Sequence, residues 1–477
     1  MADDASRTGE APGRTPRLGP LDLMFLRIET PSWPCHIGAL AVVDGAALLD
    51  ASGRLRLDGI AARLDPRLAG APALRRRVHV PGPLQGGPLW VDDARFDIHR
   101  HVHAAAVEAP GGHPQLLDAA ARLCERLLDR SRPLWDLWFL TGVSEGRVGV
   151  LLRLHHAVAD GAAAVALMGS LFDEAHDATG PPTVTTVAAP VPARRRLLAD
   201  NLATKGAAAR RLAATLAHPG RVLRAARILA GVARPAFSHR RAPRTSLNPR
   251  VGRGRRVRFL RLDLGAVKEA AHARHGTVND VVLGVWAGGL RRLLAARDEP
   301  VAHLEPVATV PASRRPAGAT GGTDNVFGVM SVALPVWEPD PSRRLDLVVA
   351  RTRDAKVAQN PAAVSGLLAA LSATPLGRTF AARQRAANVE VTNVIGPPVT
   401  VHLLGAPVRA ILPIVQPLGN LGPILCAFSY AGRLFLVVTA DAGGNPDIDV
   451  LMAGMDADWR ALDAGTRPSA GTGRERA

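Results

Sequence analysis

The sequence predicts a mixed α/β (α+β) protein in two similar halves joined by a basic linker, and three observations carry that expectation. Strand-like and helical runs alternate from about Gly19 to Thr179, the alternation begins again near Arg256, and the stretch between is strongly basic. In the first half HIGALAVV, GPLWVDD, LWDLWFLTG and VGVLLRL read as strands, and DGIAARLDPRLA and PQLLDAAARLCERLL as helices. In the second, RVRFLRLDL, PVATVPAS and VFGVMSVALPV read as strands, while LGAVKEAAHARHG and TVNDVVLGVWAGGLRRLLAA read as helices. A chain of 477 residues is long enough for more than one domain and a sizeable core. The expected division is a disordered polar lead over 1–18, a first lobe over 19–180, a partly helical basic connector over 181–255, a second lobe over 256–462 and a disordered tail over 463–477.

The net charge of +17 is informative through its placement. Between Arg194 and Arg261 the chain holds 18 Arg and one Lys against Asp200 alone, so the rest is close to neutral. Helical stretches are expected near Leu197 to Ala217 and Arg221 to Gly231. Three roles compete for this segment: a solvated linker, a contact with an anionic membrane or lipid-droplet surface through Arg and an amphipathic apolar face, and a nucleic-acid site. Only Phe237 and Phe259 interrupt it as aromatics, which leaves little surface for base stacking, and no helix-turn-helix or zinc-finger spacing appears, so no nucleic-acid partner is expected. One or two of these Arg are also candidates to hold phosphates of a nucleotide-bearing substrate.

Several function classes find no support. The opening MADDASRTGEAPGRTP lacks the form of a signal peptide, and no run of about 18 or more apolar residues free of charge suggests a spanning helix. Cys35, Cys124 and Cys426 are odd in number and far apart, which fits a reducing cytoplasm; peripheral attachment to a membrane or lipid body is expected only through the basic connector. His99, His101 and His103 would share one face of a strand and mimic a metal site, yet no Cys or carboxylate is spaced to complete a shell, and no metal is expected. GxSxG, a P-loop and a dinucleotide glycine fingerprint are missing, which leaves serine-hydrolase, NTPase and dehydrogenase readings unsupported.

The chemistry concentrates in Arg147 to Gly161, RVGVLLRLHHAVADG. Val148, Val150, Leu151, Leu152 and Leu154 form a buried strand whose carboxyl end presents His155 and His156, and the small-residue stretch from Ala162 reads as the following helix. Neighbouring side chains in extended backbone point to opposite faces, so one imidazole is expected to face a substrate while the other packs or braces the loop. Buried, hydrogen-bonded histidines are common, and the pair alone does not define a catalyst.

The full pattern His155-His156-x-x-x-Asp160-Gly161 resembles the HHxxxDG signature of CoA-dependent acyltransferases of the chloramphenicol acetyltransferase superfamily. Further blocks narrow the resemblance to the bacterial wax ester synthase/diacylglycerol acyltransferase family, from about Leu18 to Leu462 and in the family's order. They are LGPLDLMFLRIETPSWPCHIGAL, Leu89-Trp90-Val91-Asp92-Asp93, Pro133-Leu134-Trp135, Thr277-Val278-Asn279-Asp280-Val281-Val282, Pro311-Ala312-Ser313-Arg314-Arg315, Asn393-Val394-Ile395-Gly396-Pro397, Phe428-Ser429-Tyr430 and Pro446-Asp447. Cys35, Ala312, Thr392 and Ile395 stand where the family usually has other residues, which bears on substrate preference more than on membership.

This resemblance implies two chloramphenicol-acetyltransferase-like lobes with the active site between them, and an O-acyltransferase. It would move a long-chain acyl group from acyl-CoA, a co-substrate with no separate cofactor, to diacylglycerol or a fatty alcohol. His156 is implied as the base that takes the acceptor proton and returns one to the departing thiolate. Asp160 either orients an imidazole or, as is usual in the superfamily, shapes the loop; Gly161 permits the tight exit into the helix. Asn279 and Asp280 are expected to line the channel or stabilise the tetrahedral intermediate, a helix cap being the alternative for Asn279. Pro133, Leu134 and Trp135 are expected to form its wall, and of Trp135 and Trp138 at most one should line an acyl tunnel. Two other readings stay open: a same-fold enzyme acting on another hydroxyl or amine, and a catalytically idle lipid-binding protein. The intact His156 counts against the second, and the PLW and TVNDVV blocks against the first.

Overall fold

Strand β6 (Arg147–His155) is buried on both faces from Val148 to its end, as its nearly unbroken apolar sequence requires. It lies inside a six-stranded sheet with the order β11 (His402–Leu403), β12 (Ala406–Val415), β1 (His36–Asp44), β6, β5 (Trp135–Val143) and β4 (Val102–Ala106). All neighbours are antiparallel except the parallel pair β4 and β5. A two-stranded ribbon, β2 (Arg76–His79) with β3 (Leu89–Asp92), stands beside it. A second six-stranded sheet has the order β7 (Arg255–Asp263), β14 (Arg433–Asp441), β13 (Ile424–Tyr430), β10 (Val389–Ile395), β8 (Val307–Ser313) and β9 (Phe327–Ala333). The computed structural model describes residues 17–68, 70–159, 161–173, 191–218, 220, 241–313, 327–357 and 376–466.

The helices are α1 (Pro20–Ile28), α2 (Leu57–Leu68), α3 (His113–Cys124), α4 (Gly161–Gly169), α5 (Arg194–Leu216), α6 (Leu264–His272), α7 (Val278–Ala296), α8 (Pro341–Val357), α9 (Leu376–Arg383) and α10 (Ile448–Thr466). The α3 helix seats against the first sheet over Gly149, where a Cβ would stand 2.6 Å from Leu116 Cδ1. Behind the second sheet α7 packs against α6, α8 and α10. Its contact with α10 depends on absent side chains, since a Cβ on Gly454 would meet the Gly289 Cα at 3.0 Å.

Two apolar cores result. Leu40, Phe139, Leu151 and Ile414 centre the first, which continues without a break onto Phe428, Tyr430, Phe435 and Val437 of the second sheet. Trp286, Val391, Leu436 and Met455 centre the second core, on the far side of that sheet. The expected two-lobed α/β architecture is therefore present, with the lobes packed face to face on shared apolar side chains.

Chain order and sheet order part company at β11 and β12. Both follow β10 of the second lobe in sequence, but β12 pairs with β1, from Ile37 opposite Val415 to Val43 opposite Val408, and β11 pairs with β12. The expected second lobe over 256–462 thus lends its strands at 402–415 to the first. Local hydrophobicity could not reveal this, because it marks a strand without naming its sheet. The ends differ too. Leu18 is buried and the Arg17 guanidinium donates to the carbonyls of Gln85 and Gly87, while α10 runs through Thr466, so 17–18 and 463–466 belong to the folded body. Residues 1–16 and 467–477 lie outside the described residues, as do 181–190, 219 and 221–240 of the connector; the first expected connector helix is α5.

Candidate active site

The two histidines at the end of β6 have unlike surroundings. His155 sits opposite His36 of β1 in the register and is fully buried. Its Nδ1 accepts the main-chain N–H of Ala157 at 3.0 Å, which puts the ring proton on Nε2. That nitrogen lies 3.4 Å from Glu29 Oε1, at the C-cap of α1. Glu29 also accepts from the Cys35 main-chain N–H at 3.1 Å and from the Arg130 guanidinium at 2.7 Å. Burial pushes the Glu29 carboxyl up, but the hydrogen bond and charge of His155, with Arg130 and Cys35, reverse this and hold it at about 2. His155 is thus a brace hydrogen-bonded at Nδ1, with Nε2 facing the Glu29 carboxylate.

His156 is placed by its main chain and by the face of its ring. Its main-chain N–H donates to the Cys35 carbonyl at 2.9 Å, and its ring stacks on Phe25 of α1, with centroids 4.6 Å apart and planes 13° apart. Removal from water, with the neighbouring His155 adding to it, draws the His156 pKa down to about 3. The imidazole is therefore neutral at physiological pH, the form that can accept a proton. His36 is fully buried, neither of its ring nitrogens has a hydrogen-bond partner among the described residues, and burial drives its pKa well below the usual value.

The wall beneath this pair is held by one buried ion pair. Arg153, on the same face of β6 as His155, donates from Nε to Asp136 Oδ1 at 2.8 Å and from Nη2 to Asp136 Oδ2, while its Nη1 donates to the carbonyls of Leu123, in the last turn of α3, and Arg126, just beyond it. Pro133, Leu134 and Trp135 are buried, and the Leu134 carbonyl accepts the His155 N–H at 2.9 Å, so this block packs against the strand end that carries the histidines. Trp135 donates its indole N–H to the Leu74 carbonyl and stacks on His101; Trp138, half-buried, lies beside His103. His99 occupies a helical turn rather than the strand, exposed and 3.9 Å from Asp58, so the three alternate histidines do not converge. Among the described residues no group of three His, Cys, Asp or Glu side chains could hold a metal ion.

Asp280 requires a correction. Its Oδ2 accepts from the N–H and the hydroxyl of Thr277, each at 2.7 Å, and its Oδ1 accepts from the Thr352 hydroxyl at 2.6 Å, so it caps α7 and ties it to α8 instead of lining a channel. Asn279, in the first turn of α7, is half-buried and makes no side-chain hydrogen bond among the described residues. Gly161 begins α4, and Asp160 lies outside the described residues, as do Arg314 and Arg315. Besides Glu29 and the Asp136–Arg153 pair, another titratable group escaped the sequence reading. Glu390 alternates with the core residues Val389 and Val391 and so points to the opposite face of the second sheet, toward the first lobe; burial alone lifts its carboxyl to about 7.

The wax ester synthase/diacylglycerol acyltransferase catalytic domain matches residues 18–282, and the C-terminal domain of the same family matches residues 323–463. The chain belongs to the wax ester synthase/diacylglycerol acyltransferase family. It is 32% identical over 449 residues to a putative diacylglycerol O-acyltransferase of Mycobacterium bovis, covering 91% of this chain and 93% of the relative. A probable diacylglycerol O-acyltransferase of Mycobacterium tuberculosis is as similar, at 32% over the same length and coverage. Among solved structures, the wax ester synthase/diacylglycerol acyltransferase from Marinobacter aquaeolei VT8 has the same fold, with a TM-score of 0.67, 21% identity, and coverage of 94% of this chain and 99% of that one. The starter condensation domain of rhizomide synthetase is similar in fold at a TM-score of 0.56 and 14% identity, covering 95% of this chain and 94% of that one.

Proposed function

We propose that this protein transfers a long-chain acyl group from an acyl-CoA thioester to the hydroxyl of diacylglycerol or a fatty alcohol, with His156 as general base. The observation that carries the reading is the neutral His156 ring, set on Phe25 and beside a His155 whose Nδ1 accepts a main-chain N–H and whose Nε2 faces Glu29. An alcohol is a poor nucleophile until its proton leaves, whereas a thiol with a pKa of about 8.5 departs readily. One base therefore serves both ends: it takes the acceptor proton as the oxygen attacks the thioester carbonyl, and returns a proton to the thiolate when the C–S bond breaks. Purified protein given one acyl-CoA with either alcohol should form triacylglycerol or wax ester, resolved by thin-layer chromatography; neither product would sink the reading.

Direct transfer is the route this site favours. All three thiols are buried; burial, joined by the charge of Glu29, raises the Cys35 pKa well above its usual value, and burial pushes Cys124 up to about 12. Thiols held protonated are weak nucleophiles. Intersecting-line two-substrate kinetics are expected, with Cys35→Ala keeping most of the wild-type kcat. Parallel lines, with an acylated residue seen by mass spectrometry after acyl-CoA alone, would overturn direct transfer.

The lipid acceptor is met at an anionic surface through α5. Leu202, Leu212 and Leu216 are exposed at 68%, 61% and 62%, on one stripe of the helix, with Lys205, Arg210 and Arg211 also exposed. Buried Leu197, packed with Leu89 and Val91, fastens the helix to the body. No helix among the described residues is long and apolar enough to cross a membrane. Ser at all three leucines should cut sedimentation with anionic vesicles while turnover of dispersed substrate stays near wild type. Equal binding of wild type and variant would leave α5 a solvated linker. Arg221, Arg224 and Arg227 of the same connector lie outside the described residues.

A further inference from the structure

We infer that the cavity at the seam between the end of α3 and the approach to β7 binds the phosphate-bearing nucleotide end of the acyl-CoA donor, an inference that rests on the acyl-transfer reading above. The cavity holds about 500 Å³, within the range of small-molecule sites. Its floor is apolar and low, built from Ala105, Ala119 and Leu123, and its rim carries Arg122, Arg126 and Arg253. Arg122 is paired with Glu108 at 3.0 Å. The guanidinium groups of Arg126 and Arg253 make no hydrogen bond or ion pair with any described residue, although most arginines around them do. Two unspent planar forks beside small apolar side chains suit a purine packed on the apolar lining with phosphates held by the guanidinium groups.

The cavity's position fits a donor whose reacting carbon must reach the histidines. Pro31, on its wall, is two residues from Glu29, which clamps His155. Leu123 and Arg126 give their carbonyls to Arg153, two residues before His155. The rim draws on both lobes: Arg122 and Arg126 lie at and just beyond the end of α3, and Arg253 just before β7. Glu125 also lines the cavity, but its Oε1 accepts the Arg255 main-chain N–H at 2.9 Å and the buried Arg255 guanidinium balances its charge. A nucleotide anchored here leaves the long pantetheine arm free to carry the thioester inward.

The test uses the full chain with Arg126→Gln and Arg253→Gln, singly and together, and two donors: palmitoyl-CoA and palmitoyl-pantetheine, which lacks the nucleotide. Each change should lower kcat/KM for the CoA ester by about tenfold, through KM, and leave the pantetheine ester unchanged. Calorimetric titration with 3′,5′-ADP should show binding to wild type that the double variant loses, with inorganic phosphate binding far more weakly. Equal loss with both donors, or full retention with the CoA ester, would overturn the assignment. Loss of anionic-vesicle binding with 3′,5′-ADP binding retained would reassign the rim to a lipid headgroup. Wild-type protein inert with both donors would sink the acyl-transfer reading itself, and the 3′,5′-ADP titration would still decide the cavity.

Discussion

His156→Ala is expected to lower kcat by at least about 10² with the fold intact, because general-base help is typically worth 10² to 10⁴ in rate and no second base at this position is available from the clamped His155. The loss should fall on kcat and kcat/KM alike, since a proton acceptor acts in the transition state and not in ground-state binding. A pH profile separates this role from a packing role. With its pKa drawn down to about 3 from the ordinary 6.5, His156 stays unprotonated as the medium is acidified, so kcat/KM should hold nearly level down to about pH 5. An unperturbed imidazole would instead lose roughly thirtyfold there. Near wild-type turnover in a folded His156→Ala protein, with unchanged circular dichroism, would remove His156 from the mechanism.

Asp136→Ala should be the most damaging single change to stability near the site. Asp136 and Arg153 are exposed at only 9% and 2%, so removing the carboxylate strands a guanidinium away from water. Breaking one side of such a buried pair typically costs about 3–5 kcal/mol. The midpoint of urea unfolding should fall accordingly, and Asp136→Leu with Arg153→Met should recover much of the loss, since an apolar pair leaves no buried charge. A shift below about 1 kcal/mol for Asp136→Ala would show that water reaches Arg153. Activity should fall with stability, because Arg153 ties the end of α3 to the strand that delivers both histidines.

What the sequence made legible follows from what is local. The apolar run from Val148 to Leu154, broken only by Arg153, reads as a doubly covered strand, and it is β6, ending at the histidine pair. RVRFLRLDL became β7, LGAVKEAAHARHG became α6, and the TVNDVV block opened α7. Thr277 and Asp280 stand three apart, the spacing of a capping box, and this was readable without any fold. The family motif drew Asp280 toward the channel because a motif marks positions, not the reason each is kept. Glu29 was out of reach for a different reason. Its partnership with His155 joins α1 to β6 across more than a hundred residues, and no local periodicity encodes it. Glu390 was out of reach as well, because its burial comes from the first lobe packing on that face of the second sheet.

The loan of β12 to the first sheet sets a schedule for biosynthesis. Until residues 406–415 have left the ribosome, β1 presents its Ile37–Val43 edge with no strand beside it, although every other strand of that sheet except short β11 precedes them by more than two hundred residues. An apolar strand with open N–H and C=O groups is a template for pairing with other chains. Translation must therefore hold a sticky half-sheet through the making of nearly the whole second lobe, and a fragment ending before Val401 is expected to aggregate rather than to fold into a catalytic half. The same wait makes holdase chaperones a natural requirement for high-yield production, and a circular permutant that places 402–415 ahead of His36 the direct way to relieve it.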